Sequence, residues 1–166
     1  MRWLWIDCII KYDADKQLVA IKNVSLSEYY LHDHIIGGKP IMPFSLMIEG
    51  MAQTAGILVG SVNKFKEKVI LAKIAKATLD SDVTAGDTVR FEASIDNIDE
   101  SGAATCGFID RRVAGGDAWE RVGRVDLLFS HIDKNMAGTE FPEHNFVFSD
   151  NFKMILDTAG LASLAE

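Results

Sequence analysis

The sequence predicts an α+β domain in which an antiparallel β-sheet wraps around one central helix, followed by a C-terminal helical extension. Two observations carry this. Residues 44–59 are apolar on nearly every face, the pattern of a helix enclosed on all sides. The other segments up to about residue 130 are short apolar or alternating runs separated by turn residues, five or six strands in all. A curved sheet is the economical cover for a single buried helix. The 166 residues fit one domain with a core that needs no staples.

The elements follow in order. Residues 3–10 read as a strand or a strand with its entry loop, and residues 13–16 as a turn. Residues 17–24 read as the next strand, with Val19, Ile21 and Asn23 on one face. After a polar and aromatic stretch, residues 34–43 carry two glycines and two prolines, which predicts a shaped loop without regular structure. Pro43 suits the first turn of the central helix, and Gly60, Ser61 and Asn63 suit its end. At 16 residues the helix is shorter than the ~20 needed to span a bilayer, and it carries Glu49 and Gln53, so no membrane span is expected. Strands are predicted at 69–77, at 88–95 with Val89, Phe91, Ala93 and Ile95 inward, at 103–110 and at 119–130. Residues 1–133 form the expected domain. Residues 134–166 form an extension with a helix over 150–164, capped by Ser149 and packed on the same domain through Phe152, Ile155, Leu156, Ala159 and Leu164.

A carboxylate inside an apolar helix needs a partner or a proton, because burying it alone is costly. Glu49 is therefore the most informative residue, either as a structurally paired group or as a general acid. His34, just before the Gly/Pro loop, is the candidate base if the loop folds it back against this helix or a neighbour's. The open N–H groups at the helix start favour negative charge developing on a carbonyl oxygen. His32 and His34 flank Asp33, but His131 and His144 add no metal-ligand spacing, and no metal is expected. The net charge of −7 argues against a general nucleic-acid role. Two cysteines without ligand spacing, and an N-terminal apolar run interrupted by Asp7, point to a reducing, cytoplasmic setting.

Together the run His34-Ile35-Ile36-Gly37-Gly38-Lys39-Pro40-Ile41-Met42-Pro43, followed by Glu49 and Ala52-Gln53, resembles the β-hydroxyacyl-acyl-carrier-protein dehydratases, the FabZ/FabA-like proteins with the hot-dog fold. The family pattern is roughly H-F-P-G-x-P-x-M-P-G-x-L-x-x-E-A-x-A-Q. The resemblance extends over about residues 5–130, with Leu71-Ala72-Lys73 and Ala85-Gly86-Asp87 matching later segments. It implies that His34 removes the C2 proton of a 3-hydroxyacyl thioester while Glu49 protonates the departing hydroxyl. Pro43, Phe44, Ser45 and Gln53 then bind substrate, and no cofactor is required. The implied substrate is an acyl-carrier-protein or CoA thioester. The implied assembly is a homodimer, or a hexamer built from dimers, in which the two catalytic residues meet across the subunit interface. Glu at position 49 resembles the dehydratase-only branch rather than the dehydratase/isomerase branch.

The chain departs from the pattern in three places. His34 stands 15 positions before Glu49 rather than 14, Ile35-Ile36 replaces Phe-Pro, and Phe44 replaces the glycine at the helix start. Two other readings fit the same fold: an acyl thioesterase using Glu49, and a non-catalytic acyl-binding module. For an acidic carrier, Lys64, Lys66 and Lys68, or Arg111 and Arg112, are candidate contacts by charge.

Overall fold

A computed structural model describes residues 3–132 and 150–161. Its elements are β1 (Cys8–Asp13), β2 (Gln17–Asn23), α1 (Tyr29–Asp33), β3 (Ile35–Ile36), β4 (Lys39–Pro40), α2 (Phe44–Val62), β5 (Lys68–Leu79), β6 (Thr88–Asp99), β7 (Gly102–Arg112), β8 (Glu120–Ile132) and α3 (Asp150–Asp157). Six strands form one antiparallel sheet in the order β1-β2-β6-β7-β8-β5, and α2 packs against β2, β5, β6, β7 and β8. This is the predicted architecture.

The central helix is longer than its apolar run, with 19 residues rather than 16. By length and composition alone it is sufficient to cross a membrane, so the expected argument from shortness does not hold. Its burial decides instead: 67% of its most apolar window is enclosed by the fold. Pro43 stands at the N-cap, one position before the first helical turn. Val89, Phe91 and Ala93 of β6 are fully buried beneath the helix, as alternation predicts.

Val19, Ile21 and Asn23 share one face of β2, as alternation predicts, and the opposite face is the one that meets the core cluster. Leu18 and Ala20 enter the core beside Trp5, Ile6 and α2, whereas Val19 and Ile21 point to the other side. Lys22 shares the core-facing parity and is only 7% exposed. Its Nζ lies 2.6 Å from Glu28 Oε1 and 3.2 Å from Asp7 Oδ1. Burial opposes the charge on Lys22, but the hydrogen bond to Glu28 and the charges of Asp7 and Glu28 outweigh it. The ammonium is thereby held above its ordinary value of 10.5. Lys22→Met should lower stability by about 1–2 kcal/mol, a figure discounted because both carboxylates are partly exposed. A raised folded-state value means the contribution is complete below pH 10.5 and is lost as pH rises through the folded value. Urea titrations of both proteins at neutral pH and at a series of values rising above pH 10.5 should show the gap narrowing with pH; a gap absent at neutral pH would reject the pairing.

The Gly/Pro segment is also more regular than expected. Ile36 pairs with Lys39 and Ile35 with Pro40, so the loop is a two-residue hairpin. Gly37 and Gly38 both have positive φ, 58° and 77°. That is the type I′ turn, which matches the twist of the paired strands and excludes most side chains. At the chain's start, residues 3–6 precede the sheet rather than belong to it, and α1 has no counterpart among the predicted elements. α3 ends at Asp157 rather than 164, with Gly160 at φ 68° just beyond. Ile155, Leu156 and Leu161 join the core, and Thr158 Oγ1 accepts a hydrogen bond from the Ile9 N–H of β1. Ser149 and Leu164 lie outside the described residues.

Candidate active site

α2 turns Glu49, Ala52, Gln53 and Gly56 to one side, as the i, i+3, i+4, i+7 spacing dictates. These residues line a cleft of about 220 Å³ whose other walls are Trp3, Val69 and Leu71 of β5, Phe129 of β8 and Phe152 of α3. The cleft is apolar apart from one carboxylate and one carboxamide. Along the helix axis it extends roughly 10 Å from Glu49 to Gly56, at about 1.5 Å per residue.

Neutral donors solve the problem of placing Glu49 there. Its Oε1 accepts from Trp3 Nε1 at 2.9 Å and from Gln53 Nε2 at 3.0 Å. Gln53, itself buried, also donates to the Trp3 carbonyl at 3.1 Å and accepts from the Trp5 N–H at 2.8 Å. The carboxamide therefore clamps the N-terminal segment to the helix while holding the carboxylate. Among the described residues both donors to this carboxyl are neutral N–H groups.

His34 follows α1 and opens the hairpin. Its carbonyl accepts from the Ile41 N–H at 2.9 Å. Thr84 fixes the far side of the loop, donating through Oγ1 to the Pro40 carbonyl at 2.6 Å, and Met42 N–H reaches the Val83 carbonyl at 2.8 Å. Buried Asp87 accepts from the Thr84 N–H and supports that turn. The loop is thus pinned, but His34 is not among the residues lining the Glu49 cleft. Of the expected site residues, one chain brings Glu49 and Gln53 together and leaves His34 elsewhere. Pro43, Phe44 and Ser45 stand at the helix entry outside this cleft, Phe44 half-buried against the core and Ser45 exposed.

Several wall residues escaped sequence reasoning. Trp3 lies 46 positions from Glu49, and no periodicity links the two. Phe152 comes from the extension. Of the candidate basic contacts, Arg111 is committed to Glu120 and to the Asp82 carbonyl, and the Arg112 guanidinium stacks on Trp119 at 5.0 Å.

A six-stranded antiparallel sheet around one helix that carries a carboxylate into an apolar cleft defines a hot-dog domain. Among solved structures, the dehydratase heterocomplex ApeI:P of Xenorhabdus doucetiae shares this fold at TM-score 0.62 and 17% identity, covering 80% of this chain and 85% of that one. A hypothetical thioesterase with coenzyme A from Streptococcus pneumoniae shares it at TM-score 0.57 and 13% identity, over 75% and 84%. At such identities these show the fold alone.

The family model for the FabA-like domain matches residues 2–119, and the chain belongs to that family. It is 40% identical over 97 residues to the 3-hydroxyacyl-[acyl-carrier-protein] dehydratase FabZ of Caldanaerobacter subterraneus subsp. tengcongensis, covering 58% of this chain and 68% of that protein. The FabZ of Clostridium kluyveri is 32% identical over 137 residues, or 80% of this chain and 88% of that one. A bifunctional LpxC/FabZ enzyme of Chlorobaculum tepidum matches at 40% over 98 residues, and there the match spans only 21% of the larger protein.

Proposed function

We propose that this protein is a hydro-lyase that dehydrates 3-hydroxyacyl thioesters to trans-2-enoyl thioesters in fatty-acid-type biosynthesis, in the cytoplasm, on an acyl-carrier-protein or CoA carrier. The observation that carries this is Glu49, a carboxyl held by neutral N–H groups at the edge of an apolar cleft, in a chain of the FabA-like family. Protein carriers are favoured over CoA by the two FabZ relatives, which are named for them.

The chemistry balances without redox or Lewis-acid help. The His34 imidazole takes the C2 proton, the C2–H electrons form the C2–C3 double bond, and the C3–O bond breaks. The Glu49 proton joins the departing hydroxyl, which leaves as water. Negative charge gathers on the thioester oxygen meanwhile, and the N–H of Phe44, open at the start of α2 by helix geometry, is the donor suited to it. Pro43 and Ser45 flank that position, and Gln53 orients the acid.

His34 reaches Glu49 from a second copy of the chain in this reading. Three observations support a dimer. His34 lies outside the cleft of its own chain. That cleft runs to β5, whose only sheet partner among the described residues is β8, and which exposes Leu71 and Ile74 on an open edge. The hairpin beside His34 also exposes Ile35 and Ile36, at 60% and 52%.

The test is hydration of a short trans-2-enoyl thioester, the reverse reaction, followed by loss of enoyl absorbance. The unmodified protein should turn it over. Glu49→Gln should be slower by about 100- to 10,000-fold with unchanged near-UV circular dichroism. Absence of turnover with both carrier-protein and CoA thioesters would reject the reading.

A further inference from the structure

We infer that Trp3 is a positioning residue for the acid: with Gln53 it occupies Oε1 of Glu49, so that the transferable proton is carried on Oε2. The inference rests on the reading of Glu49 as the general acid. A carboxyl oxygen offers two lone pairs in its plane. On Oε1 both are engaged, by the Trp3 indole N–H at 2.9 Å and the Gln53 amide N–H at 3.0 Å. A proton on Oε1 would face two donors, so protonation there requires breaking one of these bonds. Oε2 has no such competition and is left as the oxygen that delivers the proton to the leaving hydroxyl.

The arrangement is built in advance. The Trp3 ring stands edge-on to Trp5, with centroids 5.3 Å apart and planes at 84°. Trp5 is buried, and its backbone N–H is bound by Gln53 Oε1 at 2.8 Å. The Trp3 carbonyl is held by Gln53 Nε2 at 3.1 Å. One carboxamide therefore fixes both ends of the dipeptide step that presents the indole, even though Trp3 itself is 58% exposed. Trp3 also forms part of the cleft wall, so its two roles need separating by experiment.

Trp3→Phe keeps an aromatic ring in the wall and removes the N–H together with the indole's five-membered ring. In the enoyl hydration assay, kcat should fall about 10- to 100-fold, with KM within about two-fold and an unchanged melting temperature. Trp3→His restores a ring N–H and should recover part of kcat. A Trp3→Phe protein with unchanged kcat, or with raised KM and unchanged kcat, would overturn the inference and leave Trp3 as wall only. A readout independent of turnover uses the Trp3 indole N–H resonance, identified by its loss in Trp3→Phe. It should move upfield in Glu49→Leu. If the unmodified protein hydrates no substrate, the dehydratase reading fails while this resonance still judges the Trp3–Glu49 contact. A resonance indifferent to Glu49→Leu would overturn it.

Discussion

Mixing His34→Ala subunits with Glu49→Gln subunits should restore activity that neither variant has alone. Each variant by itself is expected to lose about 100- to 10,000-fold, or roughly 3–5 kcal/mol of transition-state stabilisation. If each site takes histidine from one copy and glutamate from the other, a mixed dimer has one site with both native residues and one with neither. Random exchange makes half the dimers mixed, so the mixture should approach about one quarter of the native rate per subunit. The experiment needs unfolding and joint refolding, or co-expression with two tags, so that subunits exchange. Recovery that appears only after exchange would establish the shared site. No recovery in a verified mixed dimer would mean that His34 and Glu49 of one chain act together, which requires the hairpin to move from its pinned position. The rescue is informative because it cannot arise from partial misfolding of either parent.

How legible each feature is in the sequence follows from how directly it is written in local pattern. The central helix is legible because all-round apolarity over residues 44–59 marks a helix enclosed on all sides, by protein or by lipid, and its burial in the fold decides between the two. Glu49 is legible for the complementary reason, as a charge where charge is costly. β6 is legible because its alternation coincides with its burial. β2 is less legible because it buries Val19 as well as Leu18 and Ala20, and because buried Lys22 is paired with Asp7 and Glu28, 15 positions before and 6 after it. The Gly37-Gly38 pair reads locally as a breaker, whereas positive φ at both positions builds a hairpin. Trp3, Phe129 and Phe152 belong to the site only because sheet curvature and α3 bring distant segments to one cleft. No short-range pattern encodes such a meeting. The extra residue in the His34 loop, a departure from the family pattern, falls in a segment that closes here as a two-residue turn, with the Ile41 and Met42 N–H groups bonded to the His34 and Val83 carbonyls.

The second large effect lies where the helix touches the sheet. At Gly50 a Cβ would stand 2.5 Å from Phe91 Cζ, 2.8 Å from Phe91 Cε2 and 3.0 Å from the Trp5 carbonyl oxygen. Phe91 is fully buried, so its ring has little room to yield. Phe91→Ala should cost about 3–5 kcal/mol through the cavity it leaves. Gly50→Ala should cost about 1–3 kcal/mol, even though alanine is favoured over glycine within a helix by about 1 kcal/mol. The sign of the second substitution should reverse once the first is made. In the Phe91→Ala background the new Cβ points into vacated space, the clash with the ring is gone, and the helix preference remains. Gly50→Ala there should be neutral or stabilising by up to about 1 kcal/mol, giving a coupling of about 1–4 kcal/mol. Urea titrations of the four proteins at one fixed protein concentration measure it, the concentration being fixed because association shifts apparent stability. Additive effects would mean that the Trp5 carbonyl, rather than the Phe91 ring, excludes the side chain. In the proposed reading of Glu49 as the acid, the contact bears on chemistry as well as on folding. Gly50 adjoins Glu49, and the Trp5 carbonyl belongs to the segment that carries the Trp3 indole. A helix pushed outward at Gly50 would therefore displace the acid and its donor together. Activity lost in Gly50→Ala and recovered in the double variant would tie the close approach of α2 and β6 to the placement of Glu49.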